Sequence, residues 1–191
     1  MDILKLLLEQ VDNQDALKQL SKTVGAKPDQ VKKLAEEGLP TLLAAMSKNA
    51  SSEKGAASLN KALTQHQDDN ADDVLGFLKG VDLKEGGKIL NHILGDKTAN
   101  VENKLAASSG LNKSQVDTLL TQFAPLLLAQ LGKQKKQGNI NEGNLVAGIG
   151  SLLGQGGSKD IMGLATKFLD ADGDGDIMDD LGKTLGGFFK K

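Results

Sequence analysis

Apolar residues recur every three to four positions along most of the chain, the spacing of helices that bury one face. Ile3, Leu4, Leu7, Leu8 and Val11 mark a first short helix that Asp2 can cap. Leu17, Leu20 and Val24 mark a second, capped by Asn13 and stopped by Gly25. A third is expected to start near Pro28 and carries Val31, Leu34, Ala35, Leu42, Leu43 and Met46 inward. Ser51-Ser52-Glu53 opens a fourth containing Leu59 and Leu63, which runs out in an acidic stretch ending at Asp73. A short helix over Val74 to Leu78 and a break at Gly80 lead to Gly86-Gly87. The next helix turns Ile89, Leu90, Ile93 and Leu94 inward and Lys88 and His92 outward. Beyond it, Asn112 caps a long helix, and Gly132 to Gly138 reads as linker. Asn141 to Leu153 is a glycine-spaced helix, Gly154 to Ser158 a joint, and Ile161 to Leu169 and Ile177 to Phe189 two final helices.

Two of these stretches are versions of each other. Leu20 to Lys48 aligns without a gap on Leu105 to Lys133 at a shift of 85 residues. Gly25 pairs with Gly110, Gln30-Val31 with Gln115-Val116, Leu34 with Leu119, Pro40 with Pro125, and Leu42-Leu43-Ala44 with Leu127-Leu128-Ala129. The matched spacing predicts two copies of one helical unit, each a helix, a Gly corner and a second helix. Proline lacks an amide donor and its ring crowds the preceding turn, so Pro40 and Pro125 are expected to kink their helices or to end one segment and start another. The predicted organisation is all-α, with a first repeat over 1–80, a second over 81–155, and a helix, acidic loop and helix over 156–191.

Composition supports the fold class and narrows the function. Tyr and Trp are absent and aromatic residues make up 3%, so the core must be aliphatic, which favours helix on helix over a β-sandwich. The net charge of -2 offers no field for a polyanion. All 23 basic residues are Lys, and without the planar fork of Arg a sequence-reading DNA contact is poorly served. The lack of Cys removes disulfides, thiolate zinc sites and Cys nucleophiles together. An acidic opening, Met1-Asp2, with Lys5 and Glu9 beside the apolar run, is wrong for an export signal. The apolar run at Ala124 to Ala129 is far short of the ~20 residues a spanning helix requires. A soluble, cytoplasmic protein with no membrane span is expected.

One stretch carries chemistry. Asp170-Ala171-Asp172-Gly173-Asp174-Gly175-Asp176-Ile177-Met178-Asp179-Asp180 places six carboxylates in eleven residues, which repel one another unless a cation sits among them. Asp170, Asp172 and Asp174 alternate around one centre, Gly175 permits a sharp turn, and Asp176 can offer its backbone carbonyl, as in the opening half of an EF-hand calcium loop. The twelfth position is Leu181 rather than a bidentate Glu, so Asp179 or Asp180 must close the shell. The expected cofactor is calcium. The acidic run Asp68-Asp69-Asn70-Ala71-Asp72-Asp73 reads either as a decayed copy of this loop or as an N-cap. Ser21, Gly25 and Val31, and Ala106, Gly110 and Val116, have the spacing of a DNA-binding helix-turn-helix, but Pro28, Asp29, Glu36, Glu37 and Asp117 make poor base readers, and any Gly corner gives that spacing. His66 and His92 belong to no triad or zinc pattern, and His92 reads as solvated.

The segments Gly86-Gly87-Lys88-Ile89-Leu90-Asn91-His92-Ile93-Leu94-Gly95, Ser108-Ser109-Gly110-Leu111, Ala124-Pro125-Leu126 with Leu131-Gly132-Lys133-Gln134-Lys135, and the closing acidic loop resemble a bacterial family. It is the domain of unknown function numbered nine hundred thirty-seven, related to YidB-like proteins. The resemblance implies an all-helical fold and no assigned activity. In such proteins an acidic segment often follows the first copy too, and here Gln65 to Asp73 departs from the ligand spacing. The expected role is a non-enzymatic helical scaffold or interaction module with a protein partner, no specific nucleic acid and a structural calcium ion. A nucleic-acid-associated regulator using the helix-turn-helix-like corners is the alternative, and a Mg²⁺-assisted hydrolase has only the acid cluster behind it.

Overall fold

The computed structural model describes residues 3–152 and 168–169. Among the described residues the chain is all-helical. It runs α1 (Ile3–Val11), α2 (Gln14–Val24), α3 (Pro28–Asn49), α4 (Glu53–Gln65), α5 (Val74–Gly80), α6 (Leu83–Leu94), α7 (Thr98–Ser109), α8 (Lys113–Lys136) and α9 (Leu145–Leu152). Single 3₁₀ turns at Gly95–Lys97 and Glu142–Asn144 precede α7 and α9.

Side chains that accept from orphan amides set many of the starts. Asn13 accepts from Asp15 N–H, Ser52 from Gly55 N–H, Asp73 from Gly76 N–H, and Asp82 from Lys84 and Glu85 N–H. Asn112 and Gln115 form a reciprocal capping box at α8. Two of the stops need glycine: Gly25 (φ 65°) ends α2 and Gly110 (φ 72°) ends α7, both left-handed, with their N–H groups on Ser21 O and Ala106 O.

The centre of the fold is α8. Leu119, Leu120, Phe123, Ala124, Leu126, Leu127, Ala129 and Leu131 are wholly buried, and Thr121, Gln122 and Gln130 between them are buried as well. A helix covered on every side must be surrounded, and α2, α3, α4, α5, α6 and α7 all pack on it. One apolar core includes Leu20, Leu34, Leu39 and Leu42 of the first stretch with Leu105, Leu119 and Leu127 of the second. The buried amide of Gln130 is satisfied by donating to Ala71 O at 2.6 Å.

The two corners bind each other. Gln30, in the first turn of α3, donates to Gly110 O at 2.5 Å. Its counterpart Gln115, in the first turn of α8, donates to Val24 O at 2.9 Å and Gly25 O at 3.4 Å. Each helix start therefore holds the Gly corner that precedes the other.

Two expectations are overturned. Pro40 and Pro125 lie inside uninterrupted helices rather than ending one segment and starting the next. The missing amide and the ring cost about 3 kcal/mol in a helix interior. Here each proline lies in a run of fully buried residues, Leu39 to Leu43 and Phe123 to Ala129, and breaking the helix would expose several of them at roughly 1.5–3 kcal/mol each. The acceptor freed by Pro125, Thr121 O, is approached closely by Gly86 of α6. Nor does a linker start at Gly132: α8 runs on to Lys136, with Leu131, Gly132 and Gln134 buried. A Cβ at Gly132 would meet Leu63 O at 2.7 Å and the backbone of Gln67 at 2.9 Å, so this glycine lets the end of α4 cross α8. Lys133, Lys135 and Lys136 look outward to Asp72, Asn60 O and Asp68.

Candidate functional site

The residues expected to hold calcium, Asp170, Asp172, Asp174, Asp176, Asp179 and Asp180, lie outside the described residues. What is described is the approach to them. Phe168 and Leu169 are helical and 1% and 3% exposed, so the segment leading to Asp170 is seated in the core. Lys97, in the 3₁₀ turn after α6, donates from Nζ to Leu169 O at 2.9 Å. An ammonium donating to a carbonyl makes a charge-assisted hydrogen bond.

The Asp68 to Asp73 run resolves into separate structural tasks. Asp68 pairs with Lys136 and Asp72 with Lys133 on the end of α8. Asp69 accepts from His66 Nδ1 at 2.7 Å, and Asp73 caps α5. Of the two readings of this run, capping is the one seen at Asp73. Among the described residues no group of three His, Asp or Glu side chains is placed to hold a metal ion.

A cleft of about 460 Å³ opens beside this run between α5, α6 and α8. Phe77, Val81, Gly86 and Pro125 give it apolar walls, and Asp69, Asp73, Asp82 and Glu85 line it with carboxylates. Asp73 and Asp82 are N-caps and Asp69 is bound to His66, so three of these four carboxylates already have structural tasks.

A contact that sequence spacing does not disclose joins Ser58 of α4 to His92 of α6, Oγ to Nε2 at 2.7 Å, beside a hollow of about 270 Å³ lined also by Lys54, Met46, Leu59 and Ile93. The residues are 34 positions apart on different helices, and the packing of α4 and α6 on α3 and α8 brings them together. His92 is exposed as expected, but it has a partner in Ser58. A nucleophilic Ser–His pair needs a third group to orient the imidazole, and among the described residues no carboxylate is bonded to His92. The pair reads as a tie between helices.

Among the described residues, Glu102 of α7 is the carboxyl with a clear shift. Burial pushes it above the usual glutamate value, Asp117 adds to the rise, and Lys113, with Nζ 3.4 Å from Oε2, opposes it. At the surface the Lys32 ammonium is raised by its hydrogen bond to Asp12 at 2.7 Å, which ties α3 to the turn after α1.

The model of a family described as "Bacterial protein of unknown function (DUF937)" matches residues 6–134. The match takes in α2 to α7 whole, with most of α1 and α8, and ends well before the acidic loop. No curated protein and no solved structure matches the chain.

Proposed function

The chain belongs to the DUF937 family of bacterial proteins, and from that premise we propose that it is a non-enzymatic helical scaffold, built from two copies of one helical unit, whose C-terminal loop holds a structural calcium ion. The observation that carries the scaffold reading is the reciprocal contact of the corners. Gln30 and Gln115 are equivalent in the duplicated stretches, and each bonds the other's corner, at Gly110 O and at Val24 O and Gly25 O. Residues that recur in the two stretches are thus used to build a rigid body. The same contact weighs against the nucleic-acid alternative, because a groove-reading helix presents its first-turn polar side chains outward to base edges. A relation to YidB-like proteins and a cytoplasmic location fit this reading.

The calcium part rests on the spacing of Asp170, Asp172 and Asp174, with Gly175 at the turn and Asp179 or Asp180 closing the shell. With no Glu at the twelfth position, affinity on the order of 10⁻⁵ to 10⁻³ M is expected, and magnesium should bind more weakly because its octahedral shell tolerates a crowded loop poorly. Calorimetry with calcium and with magnesium, on the wild type and on Asp172→Ala with Asp174→Ala, is the test. A calcium heat in the wild type that vanishes in the double variant is expected. No heat in either protein would reduce the loop to an acidic turn.

A further inference from the structure

We propose that the hollow between α4 and α6 is a binding site for a small organic anion, a monocarboxylate with a short alkyl chain. The site goes beyond the scaffold reading and does not depend on the calcium loop.

The hollow follows from how the helices pack. α4 and α6 each lie on α3 and on α8 without a broad contact between the two of them, and the space left there has a volume of about 270 Å³. Three close contacts fix its frame. Asn49, the last residue of α3, donates from Nδ2 to Ile93 O of α6 at 2.9 Å. Ser58 of α4 meets His92 of α6, Oγ to Nε2, at 2.7 Å. Gly55, in the first turn of α4, lies so near the Asn49 carbonyl that no Cβ would fit between them. With its walls tied in pairs the hollow exists before any ligand arrives, which lowers the entropic cost of filling it.

The lining has an apolar floor and a rim of one charge sign. Met46, Leu59 and Ile93, one from each of α3, α4 and α6, are buried core residues that form the floor. Lys54 and His92 are the ionisable residues at the rim, and among the described residues no carboxylate lines the hollow. Nor does any acid among those residues pair with Lys54, unlike Lys133 and Lys136 of α8, which are neutralised by Asp72 and Asp68.

A carboxylate needs donors, and the rim supplies them. Lys54 offers an ammonium. Ser58 offers its hydroxyl hydrogen whenever the imidazole donates from Nε2–H to Oγ, because that hydrogen is then free to turn to the ligand. The first turn of α4 adds the positive end of the helix dipole. Ser52 is already engaged, accepting from Gly55 N–H and donating to Asn49 O, so it shapes the rim without serving the ligand. One ammonium matches a monoanion better than a phosphate dianion, and three aliphatic side chains beneath it match an alkyl chain rather than further oxygens.

Proton NMR tests the site directly. The chain holds 2 His and no Tyr or Trp, so the imidazole protons of His92 can be followed with those of His66, at the far end of α4, as internal reference. Sodium butyrate added to the full chain at constant pH and about 0.15 M salt should move the His92 signals to saturation with a Kd on the order of 1 mM and leave His66 in place. Butyrate should bind roughly tenfold more tightly than acetate, the effect of burying two more methylenes. Butylammonium, with a like chain and the opposite charge, should leave His92 unmoved, and inorganic phosphate should bind more weakly than butyrate. Lys54→Met should raise the butyrate Kd about fivefold, and Ser58→Ala should raise it by about as much. Lys79→Met, on exposed α5, should leave it unchanged. Both rim variants should melt within about 4 °C of the wild type, so that a weaker Kd reports the site and not the fold. No movement of His92, equal movement of His66, acetate binding as tightly as butyrate, or a Kd indifferent to Lys54→Met overturns the site. Phosphate binding more tightly than butyrate overturns its assignment to a monocarboxylate.

Discussion

Adjacent glycines in α6 should respond to alanine with opposite signs. Both Gly86 and Gly87 lie inside the helix, where replacing Gly by Ala stabilises by about 1 kcal/mol through backbone entropy alone. Gly87 has nothing within 4 Å of an added Cβ, so Gly87→Ala should keep most of that gain. At Gly86 the new Cβ would sit 2.3 Å from Thr121 O and 2.9 Å from Thr121 Cγ2. A carbon and an oxygen in ordinary contact stay more than about 3.2 Å apart, so α6 and α8 would have to separate by roughly 1 Å. Thr121 O belongs to the backbone of the central helix and has no rotamer by which to withdraw. Overpacking of this kind costs typically 1–3 kcal/mol, and a clash with rigid backbone belongs at or above the upper end. After the propensity gain the net loss is about 1–2 kcal/mol or more. In a chain of this size 1 kcal/mol moves the melting temperature by about 2–4 °C. Thermal melts followed by circular dichroism should therefore place Gly87→Ala a few degrees above the wild type and Gly86→Ala a few degrees or more below it. If Gly86→Ala melted at or above the wild-type temperature, the close approach of α6 to the Pro125 turn would be wrong.

Three further outcomes follow from other contacts. Gln115→Ala, which loses the bonds to Val24 O and Gly25 O and half of its own capping box, should cost roughly 1–2 kcal/mol in urea unfolding, and Gln30→Ala roughly 1; no change in either would remove the case that the corners hold each other. Gly132→Ala should destabilise by about 1–3 kcal/mol, because the added Cβ meets backbone of α4 and of Gln67, and a neutral result would mean the crossing is looser than described. Glu102 holds its proton more tightly in the fold than in the unfolded chain, so the folded state binds more protons above the usual glutamate range, and stability falls as pH rises through that window. Relative to the wild type, Glu102→Gln should accordingly gain in melting temperature as pH rises above the usual glutamate range, and a trend in the other direction would show that Lys113 outweighs burial.

The helices were legible because periodicity and caps report on the same few residues: Asn13, Ser52 and Asn112 begin helices where the apolar spacing begins, and Gly25 and Gly110 stop them. The shift of 85 residues brought out a pair of helix–Gly–helix segments without any structure. The prolines misled because a local rule weighs one lost amide and a crowded ring, whereas the chain weighs the burial of a whole helix surface around α8. Gly132 to Gly138 misled for a related reason. Its Gly, Lys and Gln content looks like linker, yet the lysines have partners on or near α4 that lie some 70 residues earlier. Ser58 and His92 left no signal, since their contact depends on how α4 and α6 both pack on α3 and α8 and not on spacing within either. The acidic loop lies outside the described residues and remains an expectation from its aspartate spacing.

The crossed glutamines also bear on synthesis. Gln30 finds its acceptor 80 residues later in the chain, and the corner at Val24 and Gly25 finds its donor 90 or so residues later. At about 5–20 residues per second, a ribosome needs roughly 4–17 s to make that intervening stretch. During that interval α3 has emerged with Leu34, Leu39 and Leu42 made but with no α8 to cover them. The first half is thus synthesised before the helix that covers its apolar face, Lys113 to Lys136, exists.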